Sequence, residues 1–141
     1  MKKRPLELIL FLVISTVVLS GCIPHIGGNS GPVHSAAGDF VRGGFASGFP
    51  PLPVYKNSKV VESFASNTSF GALLISPDNL ATVINFYDKG FTVLGWDATF
   101  HKTNDTSYYY DVKNSGYSGQ VIINTAADNK QTAITMSVAS R

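Results

Sequence analysis

The sequence predicts an α+β domain of ββαββββ order, an antiparallel sheet with one helix packed on one face. Three observations lead there. Only one stretch, residues 80–94, carries apolar residues at helical spacing: Leu80, Val83, Ile84, Tyr87, Phe91 and Leu94. Period-two or short apolar runs flank it on both sides, punctuated by clusters of Asn, Asp, Ser and Gly. All of this lies within residues 54–141, a length that suits one small domain with one core.

The elements follow in order. Residues 59–66 (KVVESFAS) read as a strand with Val61, Ser63 and Ala65 on one face and Val60, Glu62 and Phe64 on the other. Asn67-Thr68 is a turn, and residues 70–75 (FGALLI) are an apolar run that fits a buried second strand. Ser76 then stands as a helix cap, with Pro77 at the first helical position and Asp78 at the positive helix end. Gly90 lies within the apolar stripe at a cost of ~1 kcal/mol. Because the stripe continues through Phe91 and Leu94, the longer helix ending on Gly95 is expected rather than a stop at Lys89.

Beyond Gly95 the period changes to two. Trp96, Ala98 and Phe100 alternate with Asp97, Thr99 and His101. Turns at residues 103–105, 114–116 and 127–129 separate strands at 108–112, 120–125 and 132–139. The last of these points Ile134, Met136 and Val138 one way and Thr135 and Ser137 the other.

The N-terminus has a different character. Lys2, Lys3 and Arg4 precede a twelve-residue apolar run, residues 8–19 (LILFLVISTVVL), and then the small pair Ser20-Gly21. These are the zones of a secretory signal peptide over residues 1–21. At ~1.5 Å per residue the run covers only ~18 Å, too short for a ~30 Å hydrocarbon core. The cysteine comes next. Leu19-Ser20-Gly21-Cys22 resembles the lipobox of bacterial lipoproteins. The resemblance implies cleavage between Gly21 and Cys22, a diacylglycerol on the Cys22 thiol, and an N-acyl chain such as palmitate on the new amino group. Several chains on one residue make a lasting membrane anchor where one holds only marginally. It further implies export to the periplasm and envelope. Sorting behaviour in that family ties inner-membrane retention to Asp after the lipidated Cys, so Ile23 implies the outer membrane of a two-membraned cell.

Residues 22–53 read as a lipid-anchored tether rich in Gly and Pro, closing on Pro50-Pro51-Leu52-Pro53. Phe40, Phe45 and Phe49 are unusual in a spacer. They fit either loose packing on the domain or the lipid surface, or a docking segment that orders on a partner.

Charge excludes some functions. Three of the 11 Lys and Arg and one of the 9 Asp and Glu fall within the first 21 residues, leaving eight of each sign beyond them. The basic residues stand singly, so neither nucleic acid nor an anionic membrane surface finds a basic cluster. The one cysteine is Cys22, which leaves no disulfide and no thiolate metal site.

No set of residues announces catalysis. His25 and His34 lie nine apart without an acidic partner, so no metal site is expected. His101 reads as a polar residue at a strand end rather than a general base. A Gly-x-Ser-x-Gly elbow is missing, and the aspartates fall mostly near turns. The aromatic cluster is the suggestive surface. Alternation sets Tyr109 opposite Tyr108 and Tyr110, and with Tyr117 nearby an exposed tyrosine face could stack on a sugar or anchor a protein.

Leu52-Pro53-x-Tyr55, then Phe86-Tyr87, Phe91 and Gly95-Trp96, is similar to a small domain of uncharacterised bacterial lipoproteins. That pattern reads Leu-Pro-x-Tyr-Pro-Gly, then Phe-Tyr-x-x-x-Leu-x-x-x-Gly-Trp. Lys56-Asn57 replaces Pro-Gly here, and Phe91 replaces Leu. The similarity implies a fold and no activity. The expectation is therefore a non-catalytic envelope lipoprotein, without cofactor beyond its acyl chains, acting as a membrane-anchored module for protein interaction or accessory assembly with an envelope protein partner. The alternative is a small-ligand or glycan-binding lipoprotein using a helix/sheet cleft or the tyrosine face.

Overall fold

The structure is a computed structural model and describes residues 33–35 and 38–141. Cys22, Gly21 and the signal segment lie outside the described residues. Among the described residues nine elements follow in chain order: β1 (Val33–Ser35), β2 (Gly38–Arg42), β3 (Lys59–Ala65), β4 (Ser69–Ser76), α1 (Leu80–Val93), β5 (Asp97–Asn104), β6 (Ser107–Lys113), β7 (Tyr117–Thr125) and β8 (Thr132–Ser140). The strands form one antiparallel sheet in the order β1-β2-β3-β4-β8-β7-β6-β5. The architecture is α+β and dominated by the sheet.

Two strands lie where a tether was expected. β2 pairs with β3 through Phe40↔Phe64, Val41↔Ser63 and Arg42↔Glu62. The fold thus begins well before residue 54. Glycine composition suggested flexibility, but these glycines are turn residues. Gly43 and Gly48 hold φ of 73° and 79°, and they turn the chain from β2 into a strap over one face of the sheet. Ser63 fastens that strap: its buried hydroxyl donates to Gly44 O at 2.8 Å and accepts from Ala46 N at 2.7 Å. Phe45 and Phe49 pack together at 4.8 Å, Phe49 meets Phe70 edge-on, and Leu52 is buried.

The two faces of the sheet differ. The inner face, under α1 and the strap, carries Leu74, Tyr110, Val112, Val121, Ile123, Ile134, Met136 and Val138, all buried. α1 lays Val83, Tyr87 and Phe91 onto it. The outer face has no covering layer among the described residues. A bulge at Val60/Glu62 on β3 changes the expected alternation: Val61 is exposed, while Val60 joins Ser63 and Ala65 toward the core.

The helix starts later than Ser76. Asn79 caps it, accepting from Thr82 N at 2.9 Å, while Ser76 ends β4 and its hydroxyl accepts from Asp78 N at 3.1 Å. Asp78 accepts instead from Tyr55 OH and, at 3.0 Å, from Asn57 Nδ2, pinning the end of the strap to the start of the helix. The hydrogen bonds hold the Asp78 carboxyl below its usual range. The C-terminus follows the longer expectation. Gly95, with φ of 74°, closes a Schellman motif in which Trp96 N donates to Phe91 O and Gly95 N to Thr92 O. That turn delivers Trp96 into the core, where Nε1 donates to Pro51 O at 3.1 Å. Gly90 has a packing reason: a Cβ there would lie 3.1 Å from Pro53 of the strap.

Candidate binding groove and open sheet edge

α1 enters from β4 and carries the chain across the inner face to β5, the last strand of the sheet. The far end of the helix side is left unfilled. Leu80, Ala81, Ile84, Asn85 and Asp88 of α1 face Phe100, Asp105 and Tyr108 of the β5–β6 hairpin across a groove of about 470 Å³. The registers Phe100↔Tyr110 and Lys102↔Tyr108 explain which side chains turn toward it, since paired residues share a face. Phe100 stays 46% exposed, nearly parallel to Tyr108 at 5.7 Å and tilted against Tyr110 at 5.2 Å.

The polar groups of the groove are held in place. Tyr110 is buried and its hydroxyl donates to Asp88 Oδ1 at 2.5 Å, fixing one carboxylate at the rim. Burial, and then the Asp88 hydrogen bond, push this phenol far above its ordinary range. Lys102 and Asp105 form an exposed ion pair at 2.7 Å, which raises the lysine and lowers the carboxyl. Such a pair adds little stability. Two aromatic rings, an aliphatic helix wall and fixed amide and carboxylate groups can receive apolar side chains of an extended segment, or the face of a sugar.

β5 forms the groove's outer wall and is an edge. Among the described residues it pairs only with β6, and seven of its eight residues are exposed. No described strand pairs with its second side, which lies beside the groove. On the outer face, His101 Nε2 meets Asp111 Oδ2 at 3.0 Å and stacks on Tyr109 at 4.6 Å. The other Asp111 oxygen accepts from Gln120 Nε2 at 2.8 Å, so this carboxylate is engaged on both sides.

The expected contact residues do not form one surface. Tyr108 lines the groove, Tyr109 lies on the opposite face, and Tyr110 is buried. Tyr117 is half-buried between Phe70 and Trp96. Phe45 and Phe49 serve the core, while Phe40 lies on the outer face beside Phe64. A run of three tyrosines fixes only alternation, and the helix then covers one of the two that share a face. Phe100 and Asp88 escaped the sequence reading: Phe100 shares the period-two phase of Trp96, which is core, and Asp88 sits on an ordinary polar helix position. Among the described residues no group of three His, Cys, Asp or Glu gathers as metal ligands. No described helix is long and apolar enough to cross a membrane. No family model matches this chain, and neither a curated protein nor a solved structure matches it.

Proposed function

We propose that this protein is a non-catalytic envelope lipoprotein, anchored through acylated Cys22, whose domain binds an envelope protein by accepting a strand at the β5 edge. The observation that carries the reading is the edge of β5, unpaired among the described residues, standing beside a groove walled by Leu80, Ile84, Phe100 and Tyr108. Main-chain hydrogen bonds to β5 supply affinity in such an arrangement, and alternate side chains entering at Phe100 and Tyr108 supply selectivity. A photo-crosslinking residue in place of Phe100 tests it in cells, with a second one in place of Lys113 at the far end of the hairpin as control. One discrete adduct from position 100, lost in Cys22→Ser, is the expected result. A smear equal at both positions refutes strand addition at this edge.

A second reading is favoured by one feature. The near-parallel Phe100–Tyr108 pair beside Asn85 and Asp88 resembles the stacking-plus-planar-polar pattern suited to a sugar ring. Saturable binding of peptidoglycan fragments that is lost in Tyr108→Ala, with no adduct at position 100, would move the assignment there.

A further inference from the structure

We infer that the outer face at the β2–β3 end of the sheet, built on Phe40 and Phe64, docks on a lipid surface. This rests on the proposed acylation of Cys22 and adds to it a place and an orientation for the domain.

The reach of the chain is the first support. With β1 and β2 part of the sheet, only ten residues separate Cys22 from Val33. Whatever their conformation, eleven Cα steps span at most ~40 Å. The β1–β2 register returns Phe40 to a position beside Val33, and the β2–β3 register sets Phe64 beside Phe40. Both aromatic residues therefore lie within about two strand spacings, ~10 Å, of the point where the anchored end joins the sheet. Phe100, on β5, is seven spacings away, ~34 Å.

The surface itself is the second. Phe40 and Phe64 are 38% and 43% exposed, cross-strand neighbours on the face that no layer of the described residues covers. Phe64 lies across Gly71: a Cβ on that glycine would come within 2.2 Å of the ring. A half-exposed ring held over Gly71 offers its free side outward, where it can meet acyl chains. Charge adds little to such docking. The registers set Arg42 and Lys59 against Glu62 on this face, one excess positive charge and no cluster, so docking through it should need little anionic lipid.

The test uses the full-length lipidated protein carrying Phe64→Trp, reconstituted in phosphatidylcholine vesicles with and without brominated acyl chains. The wild type, whose single Trp96 is buried, is the reference. Insertion by ~5–10 Å brings the new indole among the bromines and should remove roughly half of the variant's emission, against little change in the wild type. Phe40→Trp serves as a second probe should the first fold poorly, and adding anionic lipid should leave the quenching unchanged. Mass analysis of the Cys22 peptide is run on the same sample. Acylated protein with an unquenched indole overturns the docking and leaves the lipoprotein reading standing. Unmodified Cys22 removes the reach on which the inference rests and overturns both. A concentration-dependent blue shift without bromine quenching assigns the face to a second copy of the chain and overturns the lipid assignment.

Discussion

Two glycines on central strands should respond oppositely to the same methyl group. At Gly119 on β7 a Cβ would lie 2.1 Å from Ser137 O and 2.6 Å from Val138 Cα, both backbone atoms of β8. Backbone cannot swing aside, so Gly119→Ala must push β7 and β8 apart where they pair. Overpacking costs ~1–3 kcal/mol in ordinary cores, and a clash of this depth against main chain belongs at or above the top of that range. At Gly71 on β4 the colliding atoms belong to the half-exposed Phe64 ring, which can rotate into solvent. There the loss of ring contact is set against a gain of ~0.4–1 kcal/mol from a stiffer unfolded chain. Gly71→Ala should stay within ~1 kcal/mol of wild type. At ~4–8 °C per kcal/mol for a domain of this size, Gly119→Ala lowers Tm by ~12 °C or more and Gly71→Ala by no more than ~8 °C. Thermal melts followed by circular dichroism, with guanidinium titrations for the free energies, read both. A Gly119→Ala melt within ~3 °C of wild type would refute the close approach of β7 to β8. Equal losses for the two variants would refute the movable Phe64 ring. Phe64→Ala should then cost less in the Gly71→Ala background than alone, by ~0.5 kcal/mol or more.

Ser63→Ala strands the Gly44 carbonyl and the Ala46 amide under the strap; a loss of ~2 kcal/mol is expected, with faster proteolysis at residues 43–49 as the second readout. Tyr87 OH is buried and among the described residues meets at most the Tyr55 backbone in a poorly aligned contact, so Tyr87→Phe should stay close to wild-type stability. Tyr110→Phe loses a bond to a carboxylate and should cost ~1.5 kcal/mol, a contrast that one denaturation series resolves. Tyr55, Tyr87 and Tyr110 are all raised above the ordinary phenol value of 10.0, Tyr55 first by its bond to Asp78 and the others first by burial. Their contribution is present below pH 10.0 and is lost as pH rises through the folded values, so absorbance at phenolate wavelengths should show these phenols ionising together with alkaline unfolding. Asp78 runs the other way: its lowered value gives stability present above the ordinary 3.8 and lost as pH falls through the folded value, and Asp78→Asn should flatten that acid limb.

The C-terminal part of the fold was legible because its signals are local. Helical spacing from Leu80 to Phe91, the glycine at 95, and the alternation of Ile134, Met136 and Val138 all survive in the structure, whereas Leu94 caps the helix and is exposed. What escaped depends on contacts distant in sequence. Nothing within residues 38–42 announces a strand; its order comes from β3, over twenty residues later. The strap needs Ser63 to hold it and Pro53 to lie against Gly90, and a composition reading sees only Gly and Pro. Asn79 displaced Ser76 as cap because Ser76 is already committed to β4. The groove was expected in outline, as a helix/sheet cleft, but its aromatic wall is Phe100 with Tyr108 rather than the tyrosine run.

The two proposed contacts are compatible because of where the sheet puts them. A sheet covered on one face normally leaves its other face and both edges to be explained. Here α1 and the strap cover the inner face except at the groove beside β5 and β6. The edge at β1 is the one nearest the proposed anchor, and the edge at β5, which no described strand pairs, is some seven spacings away. Docking at Phe40 and Phe64 would hold the first edge at the lipid and leave β5 and its groove beyond the bilayer surface, open to an approaching strand. The order of strands, more than any single residue, would let the proposed membrane docking and strand addition proceed at once without competing for the same atoms.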